Sequence, residues 1–218
     1  MQVDFKRLAE GMKQKAIDNA TRHIEKPTVE EITAMQESME RRGYSARVDG
    51  ESHRKLASFL CYRSKKLSTR GLLLNGGTGC GKTKFLSMYA NCPMKSASEI
   101  VLMANDLGID ECVNRLMPKP VYDMYPDGYF DLAIDDIGAE PTLNRYGTKA
   151  EVIGIIMEEA YNRWRYRRGE FCHVSYYAST NLSIEQLTDR YGERVSSRMM
   201  EMFTPIKING KDQRFMKG

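Results

Sequence analysis

The sequence predicts an α/β fold in which a mostly parallel five-stranded sheet carries helices on both faces. Short apolar runs alternate with longer helical patterns between residues 52 and 208. A glycine-rich loop joins the first predicted strand to a helix, and two later strands end in polar side chains. Strands separated by helices usually pair in parallel, because each helix returns the chain to the same end of the sheet.

The composition fits one such domain with a small appendage. The chain has 218 residues and five cysteines, none of them in a CxxC pair. We therefore expect neither a disulfide framework nor a zinc site, and free thiols indicate a reducing compartment. The first residues lack the apolar core of a signal peptide, and no run of 18 apolar residues occurs. The prediction is a cytoplasmic protein without membrane association.

The first fifty residues predict helices and no strand. A capping box of Thr28 and Glu31 begins one helix, and Gly43 ends it. The polar segment 41–52 is typical of a linker, so we place a boundary near residue 50. Residues 1–50 are predicted to be a small helical N-terminal segment that binds a partner, and 51–218 the α/β domain. The methionines of the first segment (Met12, Met35 and Met39) could instead pack against each other or on that domain.

The α/β domain begins with a predicted helix at about 52–64. A strand at Gly71–Asn75 and a helix from Lys82 follow it. A strand around Met94–Ala97 is expected to precede a helix capped by Ser98. Further strands are predicted at 129–136, 171–181 and 204–208, and further helices at 149–169 and 183–203.

The loop "GGTGCGKT" fits the phosphate-binding pattern G-x-x-x-x-G-K-[ST]. Backbone N–H groups of such a loop surround the phosphates at a helix N-terminus; here they belong to Gly76, Gly77, Thr78, Gly79, Cys80 and Gly81. Lys82 would reach the β- and γ-phosphates, and the Thr83 hydroxyl would bind Mg²⁺. A strand precedes this P-loop and a helix follows it, so we predict that the protein binds ATP with Mg²⁺.

Two carboxylates end the buried strand "LAIDD". Asp135 is the predicted second contact to Mg²⁺. Asp136 stands where many ATPases use a glutamate to polarise the attacking water, and its side chain is one carbon shorter. Glu140 is a weaker candidate for that base.

Three sequence blocks after the loop carry a family resemblance. "YFDLAIDDIGAEP", "ASTNLSIEQL" and "RYGERVSSRM" resemble, in this order, the DnaC-like bacterial replicative helicase loaders. The closely related IstB-like transposition helpers share the pattern. The resemblance covers about residues 52–215 and implies an AAA+ ATPase domain. It implies that Asn181 is the sensor-1 residue that orients water, Arg198 the arginine finger with Arg194 as second choice, and Arg214 a sensor-2-like arginine.

An arginine several helical turns past the sheet can reach the γ-phosphate of a neighbouring subunit more easily than its own. The ATP site would then lie between self-associated subunits. Arg194 and Arg198 could instead be surface residues paired with Glu193 or Glu201. The chain ends four residues after Arg214, so we expect no C-terminal helical lid domain.

The predicted function is an ATP-binding and hydrolysing AAA+ helicase loader in DNA replication. Its catalytic residues would be Lys82, Asp136, Asn181 and Arg198, and its partners a replicative helicase and DNA, in single-stranded form. The alternative is an IstB-like helper that binds DNA and recruits a transposase. A small-molecule kinase and a non-hydrolysing adaptor also stay open, the latter because Asp136 replaces a glutamate.

Two segments could contact DNA. Arg54–Arg70 contains six basic residues and no acid, which fits either a nucleic-acid surface or a solvated helix face. "YNRWRYRRG" (Tyr161–Gly169) interleaves arginines with aromatic rings that could stack on bases. Inward packing of Trp164 is the favoured alternative for that segment.

Overall fold

A five-stranded parallel sheet forms the centre of the protein. A computed structural model describes residues 26–44, 49–65, 70–90, 92–117, 130–145, 147–166 and 174–210. The sheet consists of β1 (Gly71–Asn75), β2 (Met94–Ser96), β3 (Phe130–Ile137), β6 (Val174–Thr180) and β7 (Phe203–Lys207), in the spatial order β2-β3-β6-β1-β7. Every neighbouring pair in it is parallel. A separate antiparallel hairpin consists of β4 (Leu143–Arg145) and β5 (Thr148–Ala150).

Helices cover both faces of this sheet. The described residues form α1 (Val29–Arg41), α2 (Gly50–Ser64), α3 (Lys82–Tyr89), α4 (Ala97–Leu107), α5 (Ile109–Leu116), α6 (Val152–Tyr166), α7 (Ile184–Tyr191) and α8 (Glu193–Met202). One core cluster joins the sheet to α1, α2 and α3, and the other joins it to α4–α8. No helix within the described ranges has the length and apolar character needed to span a bilayer.

The central strands divide their side chains between the two cores. Leu72 and Leu74 of β1 lie in the cluster with α1–α3, whereas Leu73 lies in the other. On β6, Tyr177 faces the first core and Tyr176 the second. Successive strand residues point to opposite faces, so a strand covered on both sides is apolar throughout. The predicted α/β fold, with helices on both faces of a parallel sheet, is confirmed.

Three of the differences between predicted and observed element boundaries have a clear local cause. Ser96, not Ser98, caps α4, because its extended backbone lets its hydroxyl accept from Glu99 N at 3.2 Å while its own N–H donates to Glu99 Oε2 at 2.7 Å. The helix predicted at 149–169 begins only at Val152, since Thr148–Ala150 pairs as β5. The helix predicted at 183–203 is two helices, because Gly192 has a positive φ of 85° and ends α7.

The described part of the first segment packs on the α/β domain. Met39 and Tyr44 lie before the predicted boundary near residue 50, and both are buried beside Leu56 and Phe85. The alternative in which Met35 and Met39 pack on the domain is therefore confirmed. The helix predicted around Met12 lies outside the described residues, and the division into two domains stays a prediction.

Polar contacts also join the end of α1 to α3. Lys84 Nζ donates to Gly43 O at 2.6 Å, and Arg42 Nη2 donates to Met88 O at 3.3 Å. The Arg42 guanidinium also lies 4.8 Å from the Tyr89 ring centroid. The first described helix is thus attached to the helix that follows the P-loop.

Met39→Ala tests this packing. Met39 is 0% exposed, so truncation leaves a cavity and is expected to lower the free energy of unfolding by about 2–5 kcal/mol. Urea unfolding followed by circular dichroism measures the change. Val29→Ala in the same helix is the matched control, because Val29 is 62% exposed. Equal stabilities of the two variants would contradict the packing of α1 on the core.

Candidate nucleotide-binding site

The P-loop lies between β1 and α3, as its sequence predicts. Gly76 leaves no space for a side chain, because a Cβ there would lie 2.4 Å from Ile208 O and 3.0 Å from Cys80 Sγ. Ile208 follows β7, and its N–H donates to Asn75 O at 2.6 Å. The chain beyond β7 therefore fixes the base of the loop, whereas Gly77 and Thr78 are exposed.

Lys82 lies inside the loop and connects it to β6. Its side chain is 5% exposed, and Nζ donates to Gly76 O at 2.7 Å and to Gly77 O at 3.0 Å. The third oxygen partner is Asn181 Oδ1, at 2.6 Å. An ammonium group has three protons to donate, and here three oxygens receive them. The structure thus brings Asn181, the predicted sensor-1 residue, into contact with the predicted phosphate ligand.

Thr83 and Asp135, the two predicted magnesium ligands, contact each other. The Thr83 hydroxyl donates to Asp135 Oδ2 at 2.8 Å, although 52 residues separate the two in sequence. Asp135 is buried, while Thr83 is exposed at the start of α3. A hydroxyl and a carboxylate are the hard oxygen ligands that Mg²⁺ prefers. The donor set at this point therefore fits the predicted ion.

Asp136 follows directly and has an unusual backbone. Its φ of 55° is positive, which is uncommon for a residue with a Cβ. Its side chain is partly exposed, and its N–H donates to Ser179 Oγ at 3.0 Å. The same Ser179 hydroxyl donates to Asp135 Oδ1. Sequence reasoning missed Ser179, and its position before Thr180 and Asn181 at a strand end was the available signal.

Glu140 holds the turn after β3 in place. It is buried, and its carboxylate accepts from Gly138 N at 2.7 Å and from the Tyr191 hydroxyl. Arg190 Nη2 lies 3.2 Å from Glu140 Oε1 and 3.3 Å from Glu151 Oε2. Burial, the hydrogen bond to Glu140 and the charge of Glu140 raise the pKa of Tyr191. Contacts within the fold occupy both oxygens of Glu140, which makes Asp136 the better placed candidate base.

The predicted finger arginines lie on α8 and pair with one glutamate of α6. Arg198 Nη1 is 3.0 Å and Arg194 Nε 3.1 Å from Glu158 Oε1, so their partner is neither Glu193 nor Glu201. The Arg198 guanidinium also lies 5.1 Å from the Tyr161 ring centroid. The side chain of Arg194 is 73% exposed and that of Arg198 23%. Arg214 lies outside the described residues.

Two aromatic rings of α6, those of Tyr161 and Trp164, face inward. Tyr161 and Trp164 are both buried, with ring centroids 5.9 Å apart, and the Tyr161 hydroxyl donates to Glu201 at 2.7 Å. Inward packing of Trp164, the favoured alternative, is confirmed, and the buried rings of Tyr161 and Trp164 are not exposed for stacking on bases. The end of that segment, 167–169, lies outside the described residues.

The basic residues of Arg54–Arg70 are partly paired. Lys55 lies 2.6 Å from Glu51, and Lys65 lies 2.6 Å from Glu31. Arg63 lies over the Tyr177 ring, 4.7 Å from its centroid. Contact of this segment with nucleic acid stays a prediction.

The strand order, the loop between β1 and α3 and the acidic end of β3 define a parallel α/β core with a P-loop at the carboxyl end of its central strands. No family model and no curated protein matches the sequence. The crystal structure of the DnaC helicase loader is similar, with a TM-score of 0.45 and 22% identity, over 72% of this chain and 90% of that chain. The crystal structure of DnaI is similar, with a TM-score of 0.46 and 20% identity, over 74% of this chain and 87% of that chain.

Tyr191→Phe tests the anchoring of Glu140. At neutral pH the variant leaves a buried carboxylate without one donor, so we expect the free energy of unfolding to fall by about 1–3 kcal/mol. The raised pKa of Tyr191 means that the native state keeps a proton that the unfolded state loses above about pH 10. Stability therefore falls as the pH rises above that value, by about 1.4 kcal/mol per pH unit for each such group. Tyr191→Phe should therefore show a smaller decrease of the free energy of unfolding with rising pH.

Tyr44→Phe is the matched control for that measurement. Burial also raises the pKa of Tyr44, but its buried hydroxyl has no hydrogen-bond partner in the described part of the chain. Denaturant unfolding at pH 7 and between pH 9 and 11 should show a flatter alkaline slope for both variants and a loss at pH 7 for Tyr191→Phe alone. A loss of equal size at pH 7 in both would contradict the role of the Glu140 contact.

Proposed function

We propose that this protein is a Mg²⁺-dependent ATPase that acts as a helicase loader in DNA replication. One observation carries the ATPase part of the proposal: the hydrogen bond between Thr83 and Asp135 at 2.8 Å, beside a lysine that contacts Asn181 at 2.6 Å. These residues come from the start of α3 after the P-loop, from β3 and from the position after β6, which are distant in sequence. A P-loop, an acid at the end of a buried strand and a polar amide are the groups that nucleotide hydrolysis requires.

Each residue has a role that follows from its place. Lys82 donates to the β- and γ-phosphates, and the Thr83 hydroxyl and Asp135 carboxylate hold Mg²⁺. When bound, the ion neutralises negative charge on the phosphates. The Asn181 amide orients the attacking water, and the partly exposed Asp136 carboxylate accepts its proton. Arg198 supplies positive charge to the ATP of a neighbouring subunit.

The loader part of the proposal is supported by the three sequence blocks that resemble DnaC-like proteins. We propose a replicative ring helicase as the protein partner, bound through the helical segment 1–50. Single-stranded DNA is the proposed nucleic-acid partner, and ATP lies at interfaces between self-associated subunits. We place the protein in the cytoplasm, where the thiols of Cys61, Cys80 and Cys112 stay reduced.

The test is to purify the protein with its bound partners from its own host and to identify them. A ring helicase in the complex, with weak binding of single-stranded DNA, supports the proposal. ATP-dependent filaments on duplex DNA together with a bound transposase would favour the IstB-like alternative. Accumulation of a phosphorylated acceptor would indicate a kinase. ATP binding with no release of phosphate, even with the partner present, would indicate an adaptor.

Lys82→Ala should abolish ATP binding, because it removes the charge that faces the phosphates. Titration with a fluorescent ATP analogue in Mg²⁺ measures the loss. Lys84→Ala is the matched control, since Lys84 is exposed on the same helix and donates to Gly43 O. Binding of normal strength in Lys82→Ala would contradict the assignment of the loop.

Arg198→Ala should leave ATP binding intact and remove hydrolysis that is stimulated by assembly. An arginine supplied in trans contributes roughly 10³–10⁵-fold to rate in phosphoryl transfer. Phosphate release measured over a range of protein concentrations gives the stimulated rate. Arg194→Ala, the same change at the second candidate, compares the two arginines directly.

The contact with Glu158 allows a sharper control. Glu158→Gln removes the same ion pair from its other side but keeps Arg198. If Arg198 acts across the interface, Glu158→Gln keeps the stimulated hydrolysis that Arg198→Ala loses. Equal losses in both variants would mean that the arginine matters only for packing of α8 on α6, and full turnover in Arg198→Ala would refute the finger.

A further inference from the structure

Ser179 lies where the pairing of β3 and β6 changes register. Ile134 pairs with Ala178, and Ile137 pairs with Thr180. Two residues of β3, Asp135 and Asp136, therefore lie opposite the single residue Ser179. Such a β-bulge places one extra residue in a strand and changes the direction of its side chains.

The bulge affects only one side of β3. Toward β2 the pairing stays regular, and Asp135 pairs there with Ser96. Toward β6 the extra residue removes one regular backbone hydrogen bond, which would leave the N–H of Asp136 without an acceptor. The Ser179 hydroxyl replaces it, since it accepts from Asp136 N at 3.0 Å.

The same hydroxyl fixes the neighbouring acid. Ser179 is 0% exposed, and its hydroxyl proton is donated to Asp135 Oδ1. The other oxygen of that carboxylate, Oδ2, accepts from Thr83 at 2.8 Å. With one oxygen held by β6 and the other by α3, the carboxylate has a single orientation. One serine thus determines the rotation of Asp135 and the backbone position of Asp136.

The backbone conformation of Asp136 shows why its hydrogen bond to Ser179 is needed. A φ of 55° costs energy in a residue with a Cβ and persists only where surrounding contacts maintain it. The hydrogen bond from Asp136 N to Ser179 is such a contact. Without it, the strand can return toward regular pairing, which would turn the side chains of both acids.

We infer that Ser179 is a positioning residue for the magnesium centre of this protein. It touches neither nucleotide nor ion, and it acts through the two consecutive acids that it binds. The inference rests on the proposed binding of MgATP by Lys82, Thr83 and Asp135. Groups that orient metal ligands in this way commonly contribute 10–100-fold to metal affinity, so a loss of about 10-fold is expected on their removal.

Ser179→Ala removes both the donor and the acceptor and adds no bulk. The affinity for a fluorescent ATP analogue is measured without divalent ions and then across a Mg²⁺ titration. We expect the metal-free affinity to stay within about 2-fold of the wild type, because Lys82 and the loop are unchanged. The Mg²⁺ concentration that gives half of the affinity gain should rise by about 10-fold.

Ser196→Ala is the matched control. Ser196 is also a buried serine, and its hydroxyl accepts from Thr188 Oγ1 at 2.8 Å on the opposite side of the α7–α8 junction. Its removal should leave the Mg²⁺ titration unchanged. Should Ser179→Ala fail to fold, Ser179→Cys keeps a side chain of similar size with a weaker donor, and its half-saturation should lie between wild type and the expected value for alanine.

The outcomes separate this inference from the proposed function. A wild-type protein that binds no ATP, or binds it equally with and without Mg²⁺, overturns both. A wild type with Mg²⁺-dependent affinity and a Ser179→Ala variant with the same half-saturation overturns the serine role alone. A fall in metal-free affinity as large as the Mg²⁺ effect also overturns it, because the serine would then support the whole site.

Discussion

Parallel pairing of β1, β6 and β3 is the constraint on which the candidate site depends. Asn75 pairs with Thr180, and Thr180 pairs with Ile137, so the three strands end at one level. The P-loop, Asn181 and the two acids follow or occupy these ends. Ligands bind outside the carboxyl ends of the strands in such sheets. Strand register, rather than any single loop, therefore brings the residues together.

Local patterns were enough to predict most of this arrangement. The loop glycines, Lys82 and the apolar run before Asp135 each have a signal within ten residues. Ser179 has only a weak signal, its place before Thr180 and Asn181 at a strand end, because its importance comes from lying opposite two residues that are more than 40 positions away. The importance of Glu158 likewise comes from a residue distant in sequence, Arg198. The break between α7 and α8 does have a local signal, which is Gly192 itself. The helical pattern continues on both sides of this glycine, so the sequence predicts one continuous helix there.

Buried polar contacts connect the acidic strand end to the helices beyond it. Glu140 joins the turn after β3 to Tyr191 and Arg190 at the end of α7. Gly192 follows at once, and α8 with Arg194 and Arg198 begins at the next residue. A shift of the turn at Gly138 would therefore move the base of the helix that bears the candidate finger. The buried carboxylate of Glu140 resists such movement, since separation from Arg190 and Tyr191 would leave it without these partners.

The contacts between the end of α1 and α3 link the amino-terminal segment to the start of the P-loop helix. Gly43 and Arg42 hold the helix whose first two residues are Lys82 and Thr83. If a partner binds the amino-terminal segment and ATP binds the loop, as proposed, a displacement of α1 would be transmitted to Lys82 and Thr83 through α3, which is about two turns long. Thermodynamic linkage would make the effect mutual. If the bound partner raised the affinity of the protein for ATP, ATP would raise its affinity for the partner by the same factor.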